Sequence, residues 1–154
     1  MSYTDQLQKL ADMYFEHHSG GTAKEILRWA WENKLWEPHP DDFLRQGAEQ
    51  LARAMREDYR KDPQGREVRT KHVIKVERGG EQLCIWISDE TATRDQMEMA
   101  FQYRRSQIVG DCKQLKKDVD SYNDNRNPGE PLQIILDFRD DVEEAELAEL
   151  ARAR

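Results

Sequence analysis

Cysteine is nearly missing from this chain, and long apolar runs are missing altogether. Only Cys84 and Cys112 occur, one on a predicted strand and one on a predicted helix. Two thiols can form one bridge, but the reading here is two buried free thiols in a reducing compartment. No Cys/His spacing resembles a zinc site. No apolar segment approaches the ~18 residues that suggest a membrane span. The opening MSYTDQLQKL has neither the basic stretch nor the apolar run of a signal peptide. The expectation is a cytoplasmic protein without membrane contact. Also missing are a phosphate-cradling glycine loop, an HExxH pair and a nucleophile elbow. The sequence therefore offers no catalytic residue, no cofactor site and no metal site, and the expectation is a protein that is not an enzyme.

Charged residues make up 36% and hydrophobic ones 37%, so the core must be modest and the surface heavily solvated. Four Trp, five Tyr and four Phe are nonetheless too many aromatics for a disordered acidic chain. The 154 residues suffice for one domain with an appendage, or for two small domains. The net charge of -7 is unevenly spread. From Arg45 to Arg78, ten Lys/Arg stand against six acids. From Asp137 to Arg154, seven acids stand against three Arg. A basic middle precedes an acidic end.

Leu7, Leu10, Ala11, Tyr14 and Phe15 recur at helical spacing and predict a first helix from about Tyr3 to His17, stopped by Ser19-Gly20-Gly21. Thr22 with Glu25 three residues on is a capping box opening a second helix, whose predicted buried face is Ile26, Leu27, Ala30 and Trp31. Pro38 and Pro40 end that segment, and Asp41-Asp42 starts a third helix to about Arg60. Its apolar stripe is Leu44, Ala48, Leu51, Met55 and Tyr59, with Gln46, Gln50, Arg53, Glu57 and Arg60 opposite. After a turn at Asp62-Pro63-Gln64-Gly65, the alternation from Glu67 to Arg78, the pair Gly79-Gly80 and the return run through Leu83, Ile85 and Ile87 predict a β-hairpin.

A long helix is predicted from Thr91 to about Tyr122. Phe101, Ile108, Leu115 and Tyr122 are seven residues apart, with Cys112 and Val119 at the companion position and Arg105 interrupting that second series. These residues are either a self-association seam or the packing face of a helix lying across its own domain. After a polar loop, Leu132, Ile134, Leu136 and Phe138 alternate as a short strand, and Asp140 to Arg154 forms an acidic terminal helix. The expected fold is α+β: a winged-helix-like three-helix domain with a hairpin over 1–90, then the long helix, short strand and acidic tail over 91–154.

The segments Thr22-Ala23-Lys24-Glu25-Ile26-Leu27 and Leu51-Ala52-Arg53-Ala54-Met55, with Arg69 through Trp86 as wing strands, resemble the winged-helix class, and weakly its HARE-HTH group. The resemblance covers roughly residues 1–90. It implies a third helix that enters a DNA groove and a wing that touches phosphate. Gln46 and Gln50 would then pair with adenine, and Arg53 and Arg60 would meet guanine or phosphate. Arg66, Arg69, Lys71 and Lys75 would make the wing's phosphate contacts. The alternative for the same cations is a solvated sheet face with edge protection.

The remaining features have plainer readings. Trp29, Trp31, Trp36 and Trp86 are read as core or protein-contact residues. His17-His18 suits a helix C-terminus, and His39 and His72 are isolated. Asp140 and Asp141 are read as helix caps, and Arg104-Arg105, Lys113, Lys116 and Lys117 as a charged helix surface. Two readings of function remain open. One is a DNA-associated winged-helix protein whose long helix pairs with a second copy. The other is a protein–protein adaptor that binds through an exposed Trp or the acidic tail.

Overall fold

Side-chain capping starts three of the five helices in the computed structural model, which describes residues 2–19, 21–39 and 41–153. Helix α1 spans Tyr3–Phe15, α2 Ala23–Glu32, α3 Asp42–Arg56, α4 Arg94–Asn125 and α5 Arg139–Arg152. Ser2 and Asp5 exchange two hydrogen bonds at the start of α1, of 2.8 and 3.0 Å. Thr22 with Glu25 and Thr93 with Gln96 do the same for α2 and α4. Such a cap is worth about 1 kcal/mol because it satisfies N–H groups that have no helical acceptor. Gly20, Pro40 and Arg154, used above as boundary residues, lie outside the described residues.

Four strands form two antiparallel hairpins. Strand β1 (Tyr59–Lys61) pairs with β2 (Glu67–Arg69), and β3 (Lys71–Arg78) with β4 (Glu81–Ser88). Gly79 and Gly80 take φ of 58° and 83°, the positive values a two-residue hairpin turn needs. Register places Val73 opposite Trp86 and Ile74 opposite Ile85. Ile74 is 4% exposed and anchors the hairpin core.

The chain divides into two compact units, Met1–Ala54 and Met55–Arg154. In the first, α1 packs on α2 and buries Leu10, Tyr14 and Ala30. In the second, β3 packs on α4, which buries Ala100. The hairpin shares a unit with the long helix, where β3 finds its apolar cover on α4.

Three expectations are corrected. The third helix stops at Arg56, not Arg60, because the Asp58 carbonyl accepts from the Thr70 N–H at 2.9 Å and draws the chain into β1. The run from Glu67 to Arg78 is two strands broken at Thr70, not one. Leu132 to Phe138 alternates as a strand would but has no strand beside it and forms none. The Asn123 amide instead takes the N–H and C=O of Leu132, both at 2.9 Å. The thiols are free as expected, but Cys84 is exposed and Cys112 only half-buried.

Candidate functional site

Within the first unit, an aromatic cluster gathers where α1 ends. Tyr14 stacks on His18 at 4.1 Å and meets Trp29 edge-on at 5.5 Å. His18 Nδ1 lies 2.9 Å from the Tyr14 carbonyl, an atom that only accepts, so this nitrogen carries the proton. The bond satisfies a carbonyl in the last turn of α1. Trp36 donates through Nε1 to the Tyr3 hydroxyl at 3.0 Å. Helix α2 ends with the Leu35 N–H bonded to the Ala30 carbonyl at 2.8 Å and the Lys34 N–H to the Trp31 carbonyl at 3.0 Å. Lys34 sits there at φ 59°, a position that usually takes glycine.

These contacts leave an apolar hollow of about 980 Å³ beside α2, with Leu27, Trp31 and Trp36 among its lining residues. Gln46 and Arg53 line the same hollow from α3. The apolar side of α3 buries nothing: Phe43 is 78% exposed, and Leu44 and Leu51 are exposed as well. Trp31, expected on the buried face of α2, is also exposed.

The second unit shows what became of the basic middle. Arg60 meets Asp89 through two parallel hydrogen bonds of 2.8 and 2.6 Å, with Glu90 at 3.6 Å. Arg66 pairs with Asp62 at 2.7 Å, inside a turn where Asp62 also accepts the Gln64 and Arg66 N–H groups. Lys71 reaches Asp58 at 3.2 Å, and Asp58 accepts from the Thr70 hydroxyl at 2.8 Å. The Thr70 bond, reinforced by Lys71, holds the Asp58 carboxyl below the usual carboxylate range. Arg60 does the same for Asp89, and the Arg66 N–H for Asp62.

Of the six candidate DNA-contacting cations, three form no ion pair among the described residues. Arg69 donates to the Tyr59 hydroxyl at 3.4 Å, Lys75 lies over the Tyr103 ring at 5.9 Å, and Arg53 lines the hollow beside α2. Gln50 is exposed on α3. The eight candidate DNA-contacting residues therefore fall into two groups. Gln46, Gln50 and Arg53 belong to the first unit and Arg60, Arg66, Arg69, Lys71 and Lys75 to the second. Sequence reading counted these cations but could not see which acids they meet. Asp89 lies 29 residues from Arg60, and only the fold joins them.

On α4, the amino-terminal half faces β3. Phe101 meets His72 edge-on at 5.6 Å, and Tyr103 lies 3.6 Å from the Cys84 sulfur. Farther along, Ile108 is 52% exposed, and Leu115 and Tyr122 are exposed in the same row. Cys112 and Val119 are half-buried. Val119 lines a shallow hollow of about 370 Å³ with Leu132 through Leu136, which return along the helix. Asn127 shapes this return, accepting from the Gly129 N–H and donating to the Glu130 carbonyl, both at 2.8 Å. Helix α5 buries no residue. No group of three or more metal-ligating side chains occurs among the described residues, and none of their helices is long and apolar enough to cross a membrane.

Compared with known protein families, with curated proteins and with solved structures, the chain matches none.

Proposed function

We propose that this chain is a non-catalytic protein-interaction module, an adaptor on a winged-helix-like scaffold. The order α1, α2, α3 and hairpin supports the scaffold. The observation that carries the function is a mismatch between charge and apolar surface. Arg60, Arg66 and Lys71 are each held by a neighbouring carboxylate, so part of the basic middle is neutralised locally. Apolar side chains, by contrast, stand without cover on α3, around Trp31, and along α4. Exposed apolar patches of this kind are characteristic of protein-binding surfaces, where Trp residues are favoured anchors.

The test compares duplex DNA with protein partners. Expected is negligible duplex affinity at low salt, for wild type and for Arg53→Glu alike. Partners cross-linked in cells should map to the α2 hollow or to α4, and Trp31→Ala with Trp36→Ala should lose those at the hollow while circular dichroism stays unchanged. A second reading, a DNA-associated winged-helix protein, is favoured by cations that form no ion pair among the described residues, Arg53, Arg69 and Lys75 among them. Duplex binding that falls steeply with salt, and that Arg69→Glu with Lys75→Glu weakens, would replace the adaptor reading with this one.

A further inference from the structure

We propose that the second unit carries a pocket for a phosphate dianion of the phosphomonoester class, held by Arg56, Arg69, Lys71 and Arg104. The site goes beyond the protein-interaction reading and shares no residue with the hollow beside α2.

The fold gathers these cations from four elements. Arg56 closes α3, Arg69 ends β2, Lys71 opens β3, and Arg104 stands on α4. Ala100 is buried on α4, which packs on β3, and Arg104, one turn on, shares that helix face. All four cations line one pocket, together with His72 and Trp86. No described carboxylate lines it, although the chain as a whole carries a net charge of -7. The neighbouring hollow, which shares Arg69, His72 and Arg104, is different in kind, because Asp62, Glu67 and Asp89 line it as well. Arg56, Arg69 and Arg104 form no ion pair among the described residues. Lys71 reaches Asp58 at 3.2 Å, but Asp58 stands outside the lining. Unpaired charges of one sign in a small concavity focus their field on whatever enters it. The pocket selects an anion.

Two of the donors are held in place by the fold itself. The Arg56 guanidinium lies over the Trp86 ring, 5.8 Å from its centroid. Arg69 donates through Nε to the Tyr59 hydroxyl at 3.4 Å, and His72 Nε2 donates to the Arg69 carbonyl at 3.0 Å. The outer guanidinium N–H groups of Arg69 have no other partner among the described residues. Such groups match phosphate oxygens in parallel pairs. Size narrows the class further. The pocket holds about 80 Å³, against about 30 Å³ for one water in the liquid, which suits a single tetrahedral oxyanion and no sugar or base. A phosphomonoester carries nearly two charges at neutral pH and presents three free oxygens. A backbone diester carries one charge and is blocked on two sides, so it meets four cations less well. Free phosphate and a phosphorylated side chain share the favoured chemistry.

The test is calorimetry on the full chain at low salt, well above the second phosphate pKa of about 6. The probes are inorganic phosphate, N-acetyl-O-phosphoserine amide and dimethyl phosphate. The first two should bind, and the diester should bind roughly tenfold more weakly or worse. A phosphoserine probe that binds tighter than phosphate assigns the pocket to a phosphorylated side chain; equal or weaker binding assigns it to free phosphate. Arg56→Gln and Arg104→Gln, both at exposed positions, should each raise the dissociation constant roughly tenfold with circular dichroism unchanged. Lys113→Gln, farther along α4 and outside the lining, should bind as wild type does. No heat from either phosphate at millimolar concentration, a diester that binds as tightly, or Lys113→Gln weakening binding as Arg104→Gln does would each overturn the proposal. Those results leave partner capture at the Trp31–Trp36 hollow unaffected, so the two readings fail separately.

Discussion

Lys34 shows how far one residue departs from what its backbone prefers. Its φ of 59° places a side chain where a Cβ crowds the carbonyl, at the position after the α2 cap where glycine is common. Lys34→Gly should relieve that strain and lose some of the gain to a freer unfolded chain, for a net stabilisation of about 0.5 kcal/mol in urea unfolding. A midpoint that falls would mean the Lys34 side chain contributes more than its backbone costs. The residue scale also sets the response to acid. Asp58, Asp62 and Asp89 each titrate lower when folded than the usual carboxyl, so each contributes stability above the unfolded value, near about 3.9. That contribution is lost as pH falls through the lower folded value. The second unit should therefore weaken below about pH 4. Asp89→Asn, which cannot titrate, should flatten the decline by removing the Arg60 pair from it; an unchanged acid profile would show that this pair carries none of the dependence.

Among the elements, helices and the Gly79-Gly80 hairpin were legible because their signals are local. A capping box occupies four consecutive residues, and a stripe repeats within one turn or two. Thr22 with Glu25 located the start of α2 to the residue, though the helix ends at Glu32, before Pro38; the glycine pair located the β3–β4 turn. The break at Thr70 was not legible, since it depends on Asp58 and Asp89, which approach Thr70 only through the fold. The strand expected over Leu132 to Phe138 failed for a related reason: alternation records which faces a run presents, not whether a neighbour exists to pair with it. Ile74 tests the element that was read correctly. Its burial between the hairpin and its surroundings predicts that Ile74→Ala costs about 2–4 kcal/mol, by lost transfer energy and the cavity left behind. A cost near zero would mean the hairpin core is not what holds the second unit.

At the scale of the whole molecule, sequence gave the inventory of charges but not their pairing. Runs and counts made the middle basic, yet charges that look additive along a chain cancel when the fold sets Arg60 on Asp89 and Lys71 on Asp58. The heptad on α4 was legible as a pattern. Which of its members stay exposed depends on β3 covering one end and the returning chain covering Val119. The hollow beside α2 had no sequence signature beyond its tryptophans.

The ribbon from Gln133 to Asp137 leaves its peptide groups without a strand neighbour, and Ile135 on it is 79% exposed. An uncovered apolar edge of this type is a template for stacking, and the carboxylates just downstream act as gatekeepers against it. Proteolysis after Phe138 would strip those gatekeepers and leave the ribbon as a sticky end. Such a fragment is expected to assemble into thioflavin-positive fibrils under conditions where the intact chain stays clear, and Ile135→Lys should abolish the effect.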